Sequence, residues 1–233
     1  MNAAITLTDT LVTAPASQAL SLEYAKQHIR SLGSADDVLI ATYIDAAASY
    51  FMEQTGRSLI TETRQAGLVA FPFVGSSGSA ARIEVPHPPL QNVRSVKYID
   101  GNGTLRSFDD GGSPAVPSWR DITYTGPYAR RGFVEPNYGV AWPIARCETD
   151  AVRILYDCGY GDGPDDVPPL VRGILCYLVN HFDTYRGMAL DQTVTEIPYG
   201  VKMMLDGFKY SAYTSQVLRE YSTYILPSTW WRS

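Results

Sequence analysis

The sequence predicts an α+β fold, on three observations taken in chain order. Apolar residues recur at helical spacing up to Gly56, alternate with polar ones from Ser58 to about Asp162, and return to helical spacing after Pro168. Residues 1–20, rich in Ala, Thr and Ser, predict a flexible lead-in. Ser21 is placed to cap a short helix from Leu22 to Leu32, with Gly33 as its stop. A second helix starts near Asp36 and Asp37, whose charge suits the positive end of a helix dipole. Its stripe is Ile40, Ile44, Ala47 and Phe51, and Gly56 ends it.

The middle of the chain reads as strands. Ile83 and Val85, Val96 and Tyr98, then Val152, Ile154 and Tyr156 alternate with polar neighbours. Asp100-Gly101-Asn102-Gly103 stands between two such runs and predicts a hairpin turn. Pro86, Pro88 and Pro89 predict a sheet edge or crossover, because proline has no N–H to donate. The Gly-, Pro- and Ser-rich segment from Phe108 to Pro136 predicts a long loop with a short strand near Ile122. Helix resumes at Pro168 or Pro169, where a missing N–H costs nothing in a first turn. Val171, Ile174, Leu178, Phe182 and Tyr185 form its apolar stripe, and a shorter helix follows from about Val201 to Phe208.

Bulk composition bounds the function. A chain of 233 residues, 45% hydrophobic and 18% charged, reads as an ordinary globular protein with one sizeable core. A net charge of −5 argues against a surface built to grip nucleic-acid phosphates. Cys147, Cys158 and Cys176 are an odd count without a C-x-x-C pair, which predicts free thiols and a reducing compartment. No basic residue precedes the weakly apolar N-terminal stretch, so it does not read as a signal peptide. No apolar run approaches the roughly eighteen residues of a membrane span. Sixteen tyrosines and four tryptophans exceed what a core of this size needs and point to interfaces.

One stretch invites a chemical reading. Gly159-Tyr160-Gly161-Asp162-Gly163 joins a strand to a helix, an arrangement that can hold phosphates. The Walker pattern needs a lysine at the helix start, and here Asp162, Asp165 and Asp166 stand there and would repel an anion. The third glycine also comes one residue early for G-x-G-x-x-G. The same three aspartates could supply oxygen ligands to a divalent cation, as in a small metal-dependent hydrolase, although the calcium-loop spacing is not met. His28, His87 and His181 are scattered and form no zinc-ligand pair with the cysteines. No G-x-S-x-G or papain-type signature is present. The expectation is a turn that needs positive φ, with no catalytic residue, metal or cofactor.

Five stretches in one order carry a resemblance: "LSLEYAKQHIR", "YIDAAASYFMEQTGRSLI", "PPLQNVRSVKYIDGNGTL", "GYGDGPDDVPPLVRGILCYLVNHFDTYRG" and "EIPYGVKMML". Together, from about Leu20 to Tyr210, they resemble the phage head–tail connector (adaptor) family, including relatives in gene transfer agents. The most specific marks are Glu53-x-Thr55-Gly56-Arg57, the Pro-Pro-Leu-Gln-x-Val run at 88–93 and the run at 159–168. The resemblance implies a small helical bundle, residues 21–57 and 165–210, with a β-rich insertion, residues 58–164, between the second and third helices. It implies a structural, non-enzymatic role at the neck of a virion or phage-like particle assembled in the host cytoplasm. The partners would be a portal protein and a stopper or tail-completion protein. Copies would form a ring, typically a dodecamer, through which DNA passes without sequence-specific binding. A stopper or tail-completion role is the alternative.

Two departures from the family stand out. Tyr138-Gly-Val-Ala-Trp-Pro143 sits where relatives often carry Gly-x-Ser-Trp-Pro, and residues 211–233 extend past the shared pattern. In that extension Tyr213, Tyr221, Tyr224, Trp230 and Trp231 are candidate anchors on a neighbouring subunit or the portal, since buried aromatics dominate interface energetics, and a tail folded back on its own subunit is the alternative. An acidic ring would also repel DNA and act as a conduit, unless Arg94, Arg106, Arg130 or Arg131 line its lumen.

Overall fold

In the computed structural model, residues 8–31, 33–72, 82–109, 118–185 and 199–209 are described. They form four helices and two antiparallel sheets, an α+β protein as the sequence predicts. The helices are α1 (Leu22–Ile29), α2 (Asp37–Thr55), α3 (Pro169–Tyr185) and α4 (Tyr199–Phe208). The strands are β1 (Thr8–Thr13), β2 (Glu62–Leu68), β3 (Ile83–Glu84), β4 (Leu90–Ile99), β5 (Leu105–Ser107), β6 (Trp119–Ile122), β7 (Phe133–Pro136) and β8 (Val152–Cys158).

The first helix starts as predicted and stops early. The Ser21 hydroxyl accepts the Tyr24 N–H at 3.2 Å, which satisfies one of the donors a helix start leaves free. At the other end Arg30 adopts φ 59° in the left-handed region. Its N–H and that of Ser31 close on the Gln27 and Lys26 carbonyls. The turn that Gly33 was expected to make is therefore made three residues earlier. Helix α2 ends as predicted, with Gly56 at φ 67° and its N–H on the Met52 carbonyl.

The strands order as β1-β2-β8-β4-β5 in one sheet and β3-β7-β6 in the other. In the large sheet, Ala66, Ile154 and Val96 share one cross-strand row, and Arg64, Tyr156 and Val93 share the next. Alternation puts all of these on the face that meets the small sheet's Ile83, Val85, Trp119 and Val134 in a single core. The hairpin at Asp100 is present, with Ile99 opposite Leu105 and the Asp100 carboxylate accepting the Asn102 and Thr104 N–H groups.

Two expectations are corrected. The N-terminal lead-in is in part a strand, because residues 8–13 pair with β2 at the sheet edge. The long loop from Phe108 holds two strands, since β7 pairs with β6 as well as the strand expected near Ile122.

A second core gathers Ile40, Ile44, Ala47 and Phe51 of α2, Val171, Leu175 and Leu178 of α3, and Val201, Leu205 and Phe208 of α4. Leu59, Ile60 and Val167 join it from the segments that lead into and out of the strands.

Candidate functional site

The three most specific sequence marks come together in space. Ser58, just past Arg57, donates its N–H to the Pro88 carbonyl at 3.1 Å, and Gly159 donates to the Pro89 carbonyl at 2.9 Å. Tyr160 donates to Leu59 and Thr61 donates to Gly161, so the glycine loop is laced to residues 59–61. The Gln91 amide reaches both the Thr61 hydroxyl at 2.8 Å and the Gly159 carbonyl at 3.0 Å. Gly159 is needed twice over. Its φ is 128°, and a Cβ there would lie 2.6 Å from the Ile60 backbone.

Arg57 extends this junction to the helices. Its side chain is buried, with Nε donating to the Phe208 carbonyl and Nη1 to the Ala129 carbonyl, both at 2.8 Å. The guanidinium lies 5.9 Å from the centre of the Phe208 ring. Phe208 also meets Phe51 edge-on and stacks on Tyr128 at 4.9 Å. One side chain thus ties the end of α2, the end of α4 and the loop before β7. Tyr160 adds a tie from its hydroxyl to the Pro127 carbonyl at 2.7 Å.

This geometry answers the phosphate question. The N–H groups of Gly159 and Tyr160 donate to main-chain carbonyls, and that of Gly163 donates to the Asp166 carboxylate at 3.0 Å. These three N–H groups of the loop are therefore engaged within the fold. Asp165 points to solvent with Arg172 at 3.3 Å, while Asp166 folds back on its own loop. Among the described residues no three of His, Cys, Asp and Glu are grouped to hold a metal ion.

A polar cluster that sequence reading missed lies at the edge of the large sheet. Asp9 of β1 accepts from Arg64 Nε at 2.9 Å and Nη2 at 2.6 Å, and its other oxygen accepts from the Tyr156 hydroxyl at 3.0 Å. His87 Nε2 lies 2.9 Å from the same carboxylate. Burial opposes the Asp9 charge, but the bonds from His87 and Arg64 outweigh it and hold the carboxyl well below the usual carboxylate range. Burial pushes the Tyr156 hydroxyl far up, and it pushes the nearby Cys158 thiol up to about 12. A thiol and a phenol held protonated are poor nucleophiles. The cluster clamps strand β1 to the sheet. No sequence signal could have found it, because residues 9, 64, 87 and 156 meet only through the sheet.

Of the four arginines that would count against an acidic lumen, three lie beside carboxylates. Arg94 pairs with Asp157 at 2.7 Å, Arg106 with Asp100 at 2.6 Å, and Arg131 lies 3.9 Å from Glu84. Arg130 is exposed. Trp142 of the departing Tyr138–Pro143 run is buried and stacks on Phe71 at 4.7 Å, closing one end of the β core. His181 meets Phe182, and Cys176 is buried in the helical core. The candidate anchors Tyr213, Tyr221, Tyr224, Trp230 and Trp231 lie outside the described residues.

Neither a protein-family model nor a curated protein matches the chain. Solved structures do. It is similar to a chain in the virion of a native gene transfer agent (GTA) particle, with a TM-score of 0.64 and 20% identity over 87% of this chain and 95% of that one. A chain in the neck of an empty GTA particle, computed with C6 symmetry, gives 0.63 and 20% over 87% and 95%. A third, in the neck of a native GTA particle computed with C12 symmetry, gives 0.61 and 17% over 87% and 94%. Over 87% of its length this chain therefore shares a fold with chains of GTA particles.

Proposed function

We propose that the protein is a structural component of the neck of a tailed phage or gene-transfer-agent-like particle, acting as the head–tail adaptor. The observation that carries this reading is the fold shared along 87% of the chain with chains of GTA virions and necks. On this reading copies form a ring, a dodecamer by analogy with the neck solved with C12 symmetry. The ring sits between a portal and a stopper or tail-completion protein, and DNA passes through it without base-specific contact. The role is mechanical and non-enzymatic. A stopper or tail-completion role is the nearest rival, and it predicts binding to the adaptor ring instead of the portal.

The two cores suit such a part. Residues 21–57 and 165–210 make up the bundle, and residues 58–164 make up the β-rich insertion, with β1 added to the insertion's sheet from the lead-in. The Arg57–Phe208–Ala129 tie carries load between them. The extension from residue 211 supplies anchors on the ring neighbour or portal through Tyr213, Tyr221, Tyr224, Trp230 and Trp231.

Purifying DNA-containing particles by density and quantifying their proteins tests the reading. The expected result is this chain in fixed ratio to a portal-sized protein, and a C-terminally shortened chain that is folded but missing from particles. Particles that form and fill without the chain would overturn it.

A further inference from the structure

The helical core is left open on one side. Between α3 and α4 runs a groove of about 430 Å³ whose lining includes Leu170, Gly173, Ile174, Tyr177, Val201 and Met204. Leu170 is 45% exposed and Met204 51%. An apolar groove of this kind favours an apolar occupant, since none of its described lining residues is charged. A Cβ on Gly173 would meet nothing within 4 Å, so its floor is open.

We propose that the occupant is the chain's own C-terminal segment, residues 210–233, folded back on the same subunit before assembly. That segment follows α4 directly, and the groove lies beside the first half of α4. Ten helical residues rise about 15 Å, which about five extended residues retrace. Residues 210–233 cover that distance several times over. They bring Leu218, Ile225 and six aromatic side chains to a surface that presents methionine and tyrosine. Sulfur–aromatic contacts suit that pairing. Tethering sets an effective concentration on the order of millimolar, which favours the chain's own groove over a neighbour's. The connector from 186 to 198 is the rival occupant, and it has none of the aromatic side chains that residues 210–233 bring. The assembly anchors are then covered in the free subunit and become available when a partner draws the segment out.

The test uses the free chain, so the groove and the neck role stand or fall separately. Peroxide oxidation of Met204 is followed by mass spectrometry in the full chain and in one ending at Lys209. Removal of the segment is expected to speed oxidation about tenfold, the change for a site passing from covered to open. Added 210–233 peptide should restore protection. As a second variant, Gly173→Leu fills the groove without clash and should speed tryptic cleavage after Arg219 about tenfold, with helix content unchanged. Equal Met204 oxidation in both chains would overturn the proposal, as would unchanged cleavage in Gly173→Leu. Protection that persists in the shortened chain would assign the groove to the connector. Protection that rises with protein concentration would assign it to a neighbour's segment, and either result rejects the assignment made here.

Discussion

The β core is pinned by the chain itself at an end and at an edge, whereas the helical core keeps an apolar groove between α3 and α4. Trp142 and Phe71 stack across one end of the strands, and the Asp9–Arg64–Tyr156 clamp pins the edge strand at another. Glu135, only 1% exposed, lies between Arg82 and Arg120. Among the helices the α2–α3–α4 packing is equally dry inside, yet Leu170, Tyr177, Tyr199, Met203 and Met204 remain in solvent. Each half therefore has its own buried core, and the groove between α3 and α4 belongs to the helical one. Polar pairs leave a surface with nothing further to gain from a partner, while bare apolar area gains from being covered.

Four substitutions break or sharpen that contrast, in falling order of expected effect. Phe208→Ala should cost most, about 3–5 kcal/mol in urea unfolding, because the ring is buried against Phe51, Tyr128 and Arg57. A loss near that of a surface residue would mean the two cores are not joined there. Arg57→Met keeps the bulk and removes the donors, stranding the Phe208 and Ala129 carbonyls, for about 2–3 kcal/mol. Amide exchange should quicken in α4 and around Ala129 and stay slow in β8. Uniform quickening would show that the tie supports the whole fold and is no joint.

Asp9→Asn should cost about 1–2 kcal/mol at neutral pH by loosening β1. Its folded pKa is depressed, so the stabilisation is complete above the unfolded value of about 3.9 and fades as pH falls toward the folded one. Wild type and variant should thus differ fully at pH 6 and converge below about pH 4. A gap that stays constant through acid would remove the carboxylate from the clamp. Gly173→Ala, the smallest change, should stabilise by about 0.5–1 kcal/mol, because the helix gains propensity and the groove has room. A loss of thermal stability would mean the groove is already filled at that point.

What the sequence made legible follows the range of the forces involved. Helices α2 and α3, the Asp100 turn, the Ser21 cap and the helix start at Pro169 are set by neighbours a few residues away, and all were readable. Strand β1 was not, because Thr8–Thr13 becomes a strand only by pairing with Gly67 and its neighbours, more than fifty positions on. Arg30 took the left-handed turn from Gly33 for a tertiary reason. Ending α1 there lets Lys26 pair with Asp37 at the start of α2, at 2.6 Å. At the junction, the three marks were visible as unusual strings, but their shared place was not, since main-chain bonds between Ser58, Pro88, Pro89 and Gly159 leave no side-chain signature.

The sheet order also sets a timetable for synthesis. Strands β2 and β4 each pair with β8, which lies between them, and β8 is the last strand among the described residues. Until residue 158 has left the ribosome the centre of the large sheet has no occupant, and α2 still lacks its partner α3. At about 5–20 residues per second, the earlier strands wait on the order of ten seconds with unpaired edges. Pairings that distant in sequence also close slowly once all parts are present. A nascent chain stopped before Val152 would thus display two strands with one open edge each and an apolar helix at once, making early termination a route to aggregation and not to a smaller folded domain.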